Sequence, residues 1–155
     1  MLTRSRFKIN EYLTTTLRLD AYERQGLAWG TENKYITPHW GSGLVRTYFI
    51  NERSIAAKHP WQLKSAPTIQ NERYQVEWRH QWRVDKDTNV VWQYYRLSDA
   101  EILRRYFRRE FQRDSNVETY FLLTRAMPVG NLGFRVDRRV NRFTTGIDRT
   151  PEITY

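Results

Sequence analysis

Arg104, Arg105, Arg108, Arg109 and Arg113 lie in one short stretch of the chain. Spaced at 100° per residue they share one half of a helical wheel, and Ile102, Leu103, Tyr106, Phe107 and Phe111 share the other. Five guanidinium groups on one helix face repel each other unless anions sit opposite. The chemistry such a face could do is contact with carboxylates of a protein partner, with RNA phosphates, or with anionic lipid head groups. A second basic segment carries Arg135, Arg138, Arg139 and Arg142, with Val136, Val140 and Phe143 at helical spacing. These nine arginines are the candidate partner-binding residues. The same wheel puts Glu110 inside the apolar half, where an unpaired carboxylate is too costly to keep. It therefore calls for a cation, with Arg79, Arg83, the segment near Arg135 or a neighbouring subunit as the sources.

Other constellations do not support catalysis or cofactor binding. His39, His59 and His80 are about twenty residues apart, a spacing unlike that of metal-ligand motifs, and the chain has no Cys. Thiolate zinc sites, iron–sulfur ligation, disulfides and cysteine nucleophiles are thereby excluded. Asp85-Lys86-Asp87-Thr88-Asn89 matches the first positions of a calcium loop, but Val90 and Arg96 stand where Gly and Glu are needed. Gly41-Ser42-Gly43 lacks the remainder of a phosphate-binding loop. No nucleophile elbow and no placed acid–base pair appears, so the expectation is a protein that is not an enzyme and holds no cofactor or metal.

The elements that would position the arginines are clearest from Tyr74 onward. Tyr74, Val76, Trp78, His80, Trp82 and Val84 alternate with polar residues, which predicts a strand with one buried and one wet face. Asp85–Asn89 supplies turn residues, and Val90–Leu97 is a β-branched and aromatic return strand. Ser98-Asp99-Ala100-Glu101 reads as a capping box opening the arginine-faced helix. The expected fold class is α+β: a small antiparallel sheet around a long hairpin, residues 74–97, packed with an amphipathic helix, residues 99–113, and with extended or irregular termini. Residues 5–25 lean towards helix, residues 26–43 read mostly as loop, and Leu44–Ile50 reads as a strand. A second irregular stretch runs from Asn51 to Asn71. Asn116–Thr124 reads as a further strand, and the last dozen residues as extended.

At 155 residues the chain fits one domain, residues 1–155. Its formal charge is +9, and 6 Trp, 10 Tyr and 7 Phe supply much of its apolar volume. Arginine greatly outnumbers lysine, which suits desolvated ion pairs, although a GC-rich gene would produce the same bias. The longest apolar run, Tyr120–Leu123, is far short of the roughly 20 residues of a membrane-spanning helix. The expected function is a non-catalytic accessory or structural subunit of a large multi-subunit complex, partnered by its other protein subunits. The basic start, free of acid until Glu11, resembles a mitochondrial presequence, but Glu11, Asp20 and Glu23 break the pattern and favour a segment that lies on a partner's surface. With the arginine bias and the lack of Cys, the resemblance points to a mitochondrial respiratory-chain complex, peripheral to the inner membrane or in the matrix. The alternatives are an RNA-binding ribosomal or mitoribosomal protein and a virion structural protein. No motif links the chain to a known family.

Overall fold

The computed structural model describes residues 2–23, 25–52, 72–113, 117–143, 148 and 151–155. Among the described residues, nine strands form one antiparallel sheet in which each strand pairs with the next in sequence: β1 Leu2–Lys8, β2 Leu13–Tyr22, β3 Gly26–Thr37, β4 Gly41–Asn51, β5 Glu72–Arg83, β6 Thr88–Leu97, β7 Thr119–Met127, β8 Gly130–Arg138 and β9 Glu152–Thr154. Two short helices, α1 Glu101–Tyr106 and α2 Arg108–Arg113, interrupt the meander between β6 and β7.

The α+β expectation is therefore corrected to a nearly all-β fold. Residues 5–25 form β1 and β2, where the Thr14–Thr16 run favours extended backbone over helix. Residues 26–43, expected as loop, hold β3 and the start of β4. Gly43 sits against the Tyr35 ring, where a side chain could not fit, so this glycine permits close strand packing and does not end a strand. Gly41, with φ +78°, does serve the turn. The arginine-faced helix is two single-turn pieces, because Phe107 leaves helical geometry (φ −131°, ψ 47°) and buries its ring. The capping box does not form: the N-cap is Ala100, with no side-chain capping bond, and Asp99 Oδ1, not Ser98, accepts the Glu101 amide at 2.9 Å. The basic segment at 135–142, expected as helical, starts within β8 and continues into the residues after it. Of the irregular stretch 51–71, residues 53–71 lie outside the described residues.

The hairpin β5–β6 forms as read, with Asp85 Oδ1 accepting the amides of Asp87 and Thr88 at 2.8 and 2.7 Å. Trp78, His80 and Trp82 share one face, but over the first half of β5 the other face is the better buried, while further along His80 is buried and Arg79, Gln81 and Arg83 are exposed. Arg73, Gln75 and Glu77 are at most 1% exposed, whereas Trp78 is 42% exposed. The helices explain the inversion. Ile102, Leu103 and Phe107 pack on Ala28, Tyr48, Ile50, Tyr95 and Leu97 to make the core. By strand alternation that puts Arg73, Gln75 and Glu77 under the helices, with Trp78, His80 and Trp82 on the far side.

This assignment of faces predicts unequal costs for two truncations. Ile102→Ala, at a fully buried site, should lower the unfolding free energy by about 2–5 kcal/mol. Trp29→Ala removes a half-exposed ring stacked on Phe49 at 4.8 Å and should cost about 0.5–1.5 kcal/mol. Urea unfolding of both variants checks the order, and a larger loss at Trp29 contradicts the assignment.

Candidate functional site

The helix-bearing face of the sheet carries a network of charges built from alternate strand residues. Arg6, Thr16, Glu32, Arg46, Glu77 and Tyr95 lie side by side across β1 to β6. Arg46 is the hub: its guanidinium lies 2.9 Å from Glu32, 3.3 Å from Glu77 and 3.1 Å from Glu110 of α2. Burial works against its charge, yet the three carboxylates outweigh it and raise the Arg46 pKa. Glu32 gains in turn: burial opposes its charge, but Lys34 and Arg46 hold its carboxyl below the usual range. Glu77 is the reverse case. Burial dominates the attraction of Arg46 and Arg79, so its carboxyl is pushed up. Glu110 thus has the cationic partner its position demands, supplied by β4 and not by the hairpin.

A second buried carboxylate, Glu52, ties the helix to the sheet. Arg105 Nη1 reaches both its oxygens at 3.0 and 3.1 Å, the Tyr106 hydroxyl donates to it, and Arg73 Nε lies 3.4 Å away. Arg73 also lies 3.5 Å from Asp99. Around Asp20, 1% exposed, gather Arg18 at 2.6 Å and the hydroxyls of Tyr48 and Tyr22. The Arg18 guanidinium lies over the rings of Tyr48 (4.8 Å) and Phe107 (5.1 Å). Between this face and residues 107–110 is a cavity of about 530 Å³ with Arg4, Arg6, Arg18, Lys34 and Arg46 on its walls.

The nine sequence-nominated arginines do not form one patch. Arg104 is exposed and 3.4 Å from Glu101, Arg105 is engaged by Glu52, and Arg108 is exposed. Arg109 and Arg113 belong to α2, but their side chains lie outside the described residues. Arg135 pairs with Asp137 at 3.0 Å and Glu118 at 3.6 Å, and lies over the Tyr120 ring. Arg138, on the opposite face of β8, borders a hollow with Trp78, Trp92 and Phe121. Arg139 and Arg142 are exposed beyond the strand, and the Arg139 amide donates to Asp148 at 2.6 Å.

Of the residues that cluster, Glu110, Arg105, Arg79 and Arg135 were singled out from the sequence, but Arg18, Asp20, Glu32, Arg46, Glu52, Arg73 and Glu77 were not. A signal for them exists in Arg18-x-Asp20, Glu32-x-Lys34, Glu77-x-Arg79 and Arg135-x-Asp137. Each is an opposite-charge pair two residues apart, and each is an ion pair along its strand.

The other face is aromatic. Tyr35 accepts from Trp78 Nε1 at 2.9 Å and contacts His80 Nδ1 at 2.7 Å, and His80 stacks on Trp92 with centroids 4.0 Å apart. Burial lowers the His80 pKa, with a bond to the Trp40 backbone opposing it. Its ring is thus held by the Tyr35 hydroxyl and by stacking on Trp92. Leu17, Leu19, Trp29, Trp78 and Phe121 are exposed on the same face. No family model matches the chain, and no curated protein is similar to it.

Two results should follow from the hub. Arg46→Ala leaves Glu77 buried without its main cation and should cost about 3–5 kcal/mol in urea unfolding at neutral pH. A loss near zero would show that Arg46 is not the hub. Because the folded Glu77 pKa is raised above the reference value of 4.5, its contribution to stability is full below that value. It is lost as pH rises through the folded pKa. The stability of Glu77→Gln relative to wild type should therefore improve on going from acid to neutral pH. A flat difference across that range would contradict the assignment.

Proposed function

We propose that this chain is a non-catalytic subunit of a larger protein assembly, seated on its partner through the aromatic face of its sheet. The observation that carries the reading is the exposure of Leu17, Leu19, Trp29, Trp78 and Phe121 on one face that no described element covers. Large apolar side chains exposed on an uncovered face are what an interaction site presents, and Trp and Tyr are favoured as interface anchors. On the helix-bearing face α1 packs over the core and what stays open is lined by charged residues, so the aromatic face is the one that offers apolar surface to a protein partner.

A protein partner suits this face better than RNA. Among the described residues its cations are Arg96, Arg125 and Arg138, and Arg96 is drawn over the Tyr74 ring. Phosphate-tracking surfaces combine stacking rings with a basic groove; here most arginines sit on the other face or on the helices. Narrowing the assembly to a mitochondrial respiratory complex is a proposal resting on composition. The basic stretch that resembles a presequence forms β1, paired residue by residue with β2. No described helix is long and apolar enough to cross a membrane.

Size-exclusion chromatography of tagged protein from its native cells tests the reading. The wild type should elute in a nucleic-acid-free protein complex. The Leu19→Glu/Trp29→Glu double variant, altered at exposed positions, should elute as the free 18.9 kDa chain. A monomeric wild type, RNA in the complex, or a double variant that keeps the complex would overturn it.

A further inference from the structure

The geometry points to a second binding site on the opposite face: the cavity between β1–β4 and residues 107–110, which we infer takes a small phosphate-bearing anion held by Arg4, Arg6 and Arg18. Charge accounting within the cavity singles out one end. Arg46 is neutralised by Glu32, Glu77 and Glu110, and Lys34 lies 3.1 Å from Glu32. Arg18 is met by Asp20 at its Nε. Arg4 and Arg6, on the same face of the edge strand, have no acidic partner among the described residues. Arg4 is directly opposite Arg18 in the β1–β2 ladder, and like charges facing each other across strands are destabilising. An anion between the three guanidinium groups converts that repulsion into charge-assisted hydrogen bonds.

The neighbouring residues are arranged for such a ligand. Arg18 is fixed between two rings and Asp20, so little freedom remains to be lost on binding. Thr16, opposite Arg6, places a hydroxyl on the same wall. Next to Arg18 in the row stands Gly30, where an added Cβ would lie 2.5 Å from the Thr47 carbonyl and 3.1 Å from Tyr48 Cδ2. The floor there has no side chain. A volume near 530 Å³ lies in the range of small-molecule sites. The class is phosphate because three convergent guanidinium groups match its charge and its several acceptor oxygens. A nucleic-acid strand is disfavoured, since Glu32 and Glu110 line the far end and would repel a continuing chain of phosphates.

Isothermal titration calorimetry with inorganic pyrophosphate and triphosphate, at fixed ionic strength, tests the site in the full chain. One-to-one binding is expected. Arg4→Gln and Arg6→Gln, both at exposed positions, should each weaken it at least about tenfold without lowering the thermal midpoint of the free chain. Absence of binding, or affinity untouched by both substitutions, would overturn the proposal. Citrate binding as tightly as triphosphate would overturn the phosphate assignment. An oligoribonucleotide that binds more tightly through the same two arginines would overturn the small-ligand assignment. The site shares no residue with the aromatic face, so its failure is distinguishable from failure of the assembly reading.

Discussion

One guanidinium group, that of Arg46, is bonded to carboxylates from three other elements: Glu32 of β3, Glu77 of β5 and Glu110 of α2. Removing so many charges from water is favourable only if each finds a partner, since an orphaned buried charge costs several kcal/mol. That constraint fixes much of the architecture. Strands β3, β4 and β5 must hold a register that places the three side chains in one row, and the chain must break at Phe107 to bring Glu110 over the sheet. The Glu52 cluster imposes the same requirement at the other end of the helices, joining Arg73 of β5 to Arg105 and Tyr106 of α1. Specificity of register is the gain such a network offers over an apolar layer.

Because the helix-bearing face is occupied by ion pairs and a compact apolar core, the remaining rings fall on the opposite face. There they cover one another: Trp29 on Phe49, His80 on Trp92, Trp40 on Trp82. The chain thus presents two unlike surfaces from one alternating pattern. An aromatic sheet is available to a partner, and a basic recess opens at the β1 edge on the reverse side. Binding at one does not require residues of the other.

The hairpin was legible in the sequence because its two-residue period runs unbroken from Tyr74 to Val84, and Asp85 supplies a turn with a clear mechanism. Which face it buries was not. Alternation says that two faces differ, and the usual inference assigns burial to the apolar one. That inference fails here because Arg73, Gln75 and Glu77 find Glu52, Tyr95 and Arg46, partners far away in sequence. Strands β1 to β3 were hidden for local reasons: Leu17 and Leu19 fit a helix as well as a strand, and Gly30 and Gly43 resemble loop residues although they mark close contacts within the sheet. The arginine-faced helix overreached for a similar reason. A wheel cannot register a single non-helical residue such as Phe107, which divides the segment, nor that Arg105 within α1 pairs with the distant Glu52. The opposite-charge pairs at i and i+2 were the unused clue.

The central claim, that the charged face is the interior and the aromatic face the exterior, is most directly tested by hydroxyl-radical footprinting of the folded chain, with rates corrected for intrinsic side-chain reactivity. The account predicts fast oxidation of Trp29 and Trp78 and strong protection of Tyr48 and Tyr95, which are 1% and 4% exposed. Protection of both tryptophans together with ready oxidation of Tyr48 and Tyr95 would show that the sheet is inside out relative to this description.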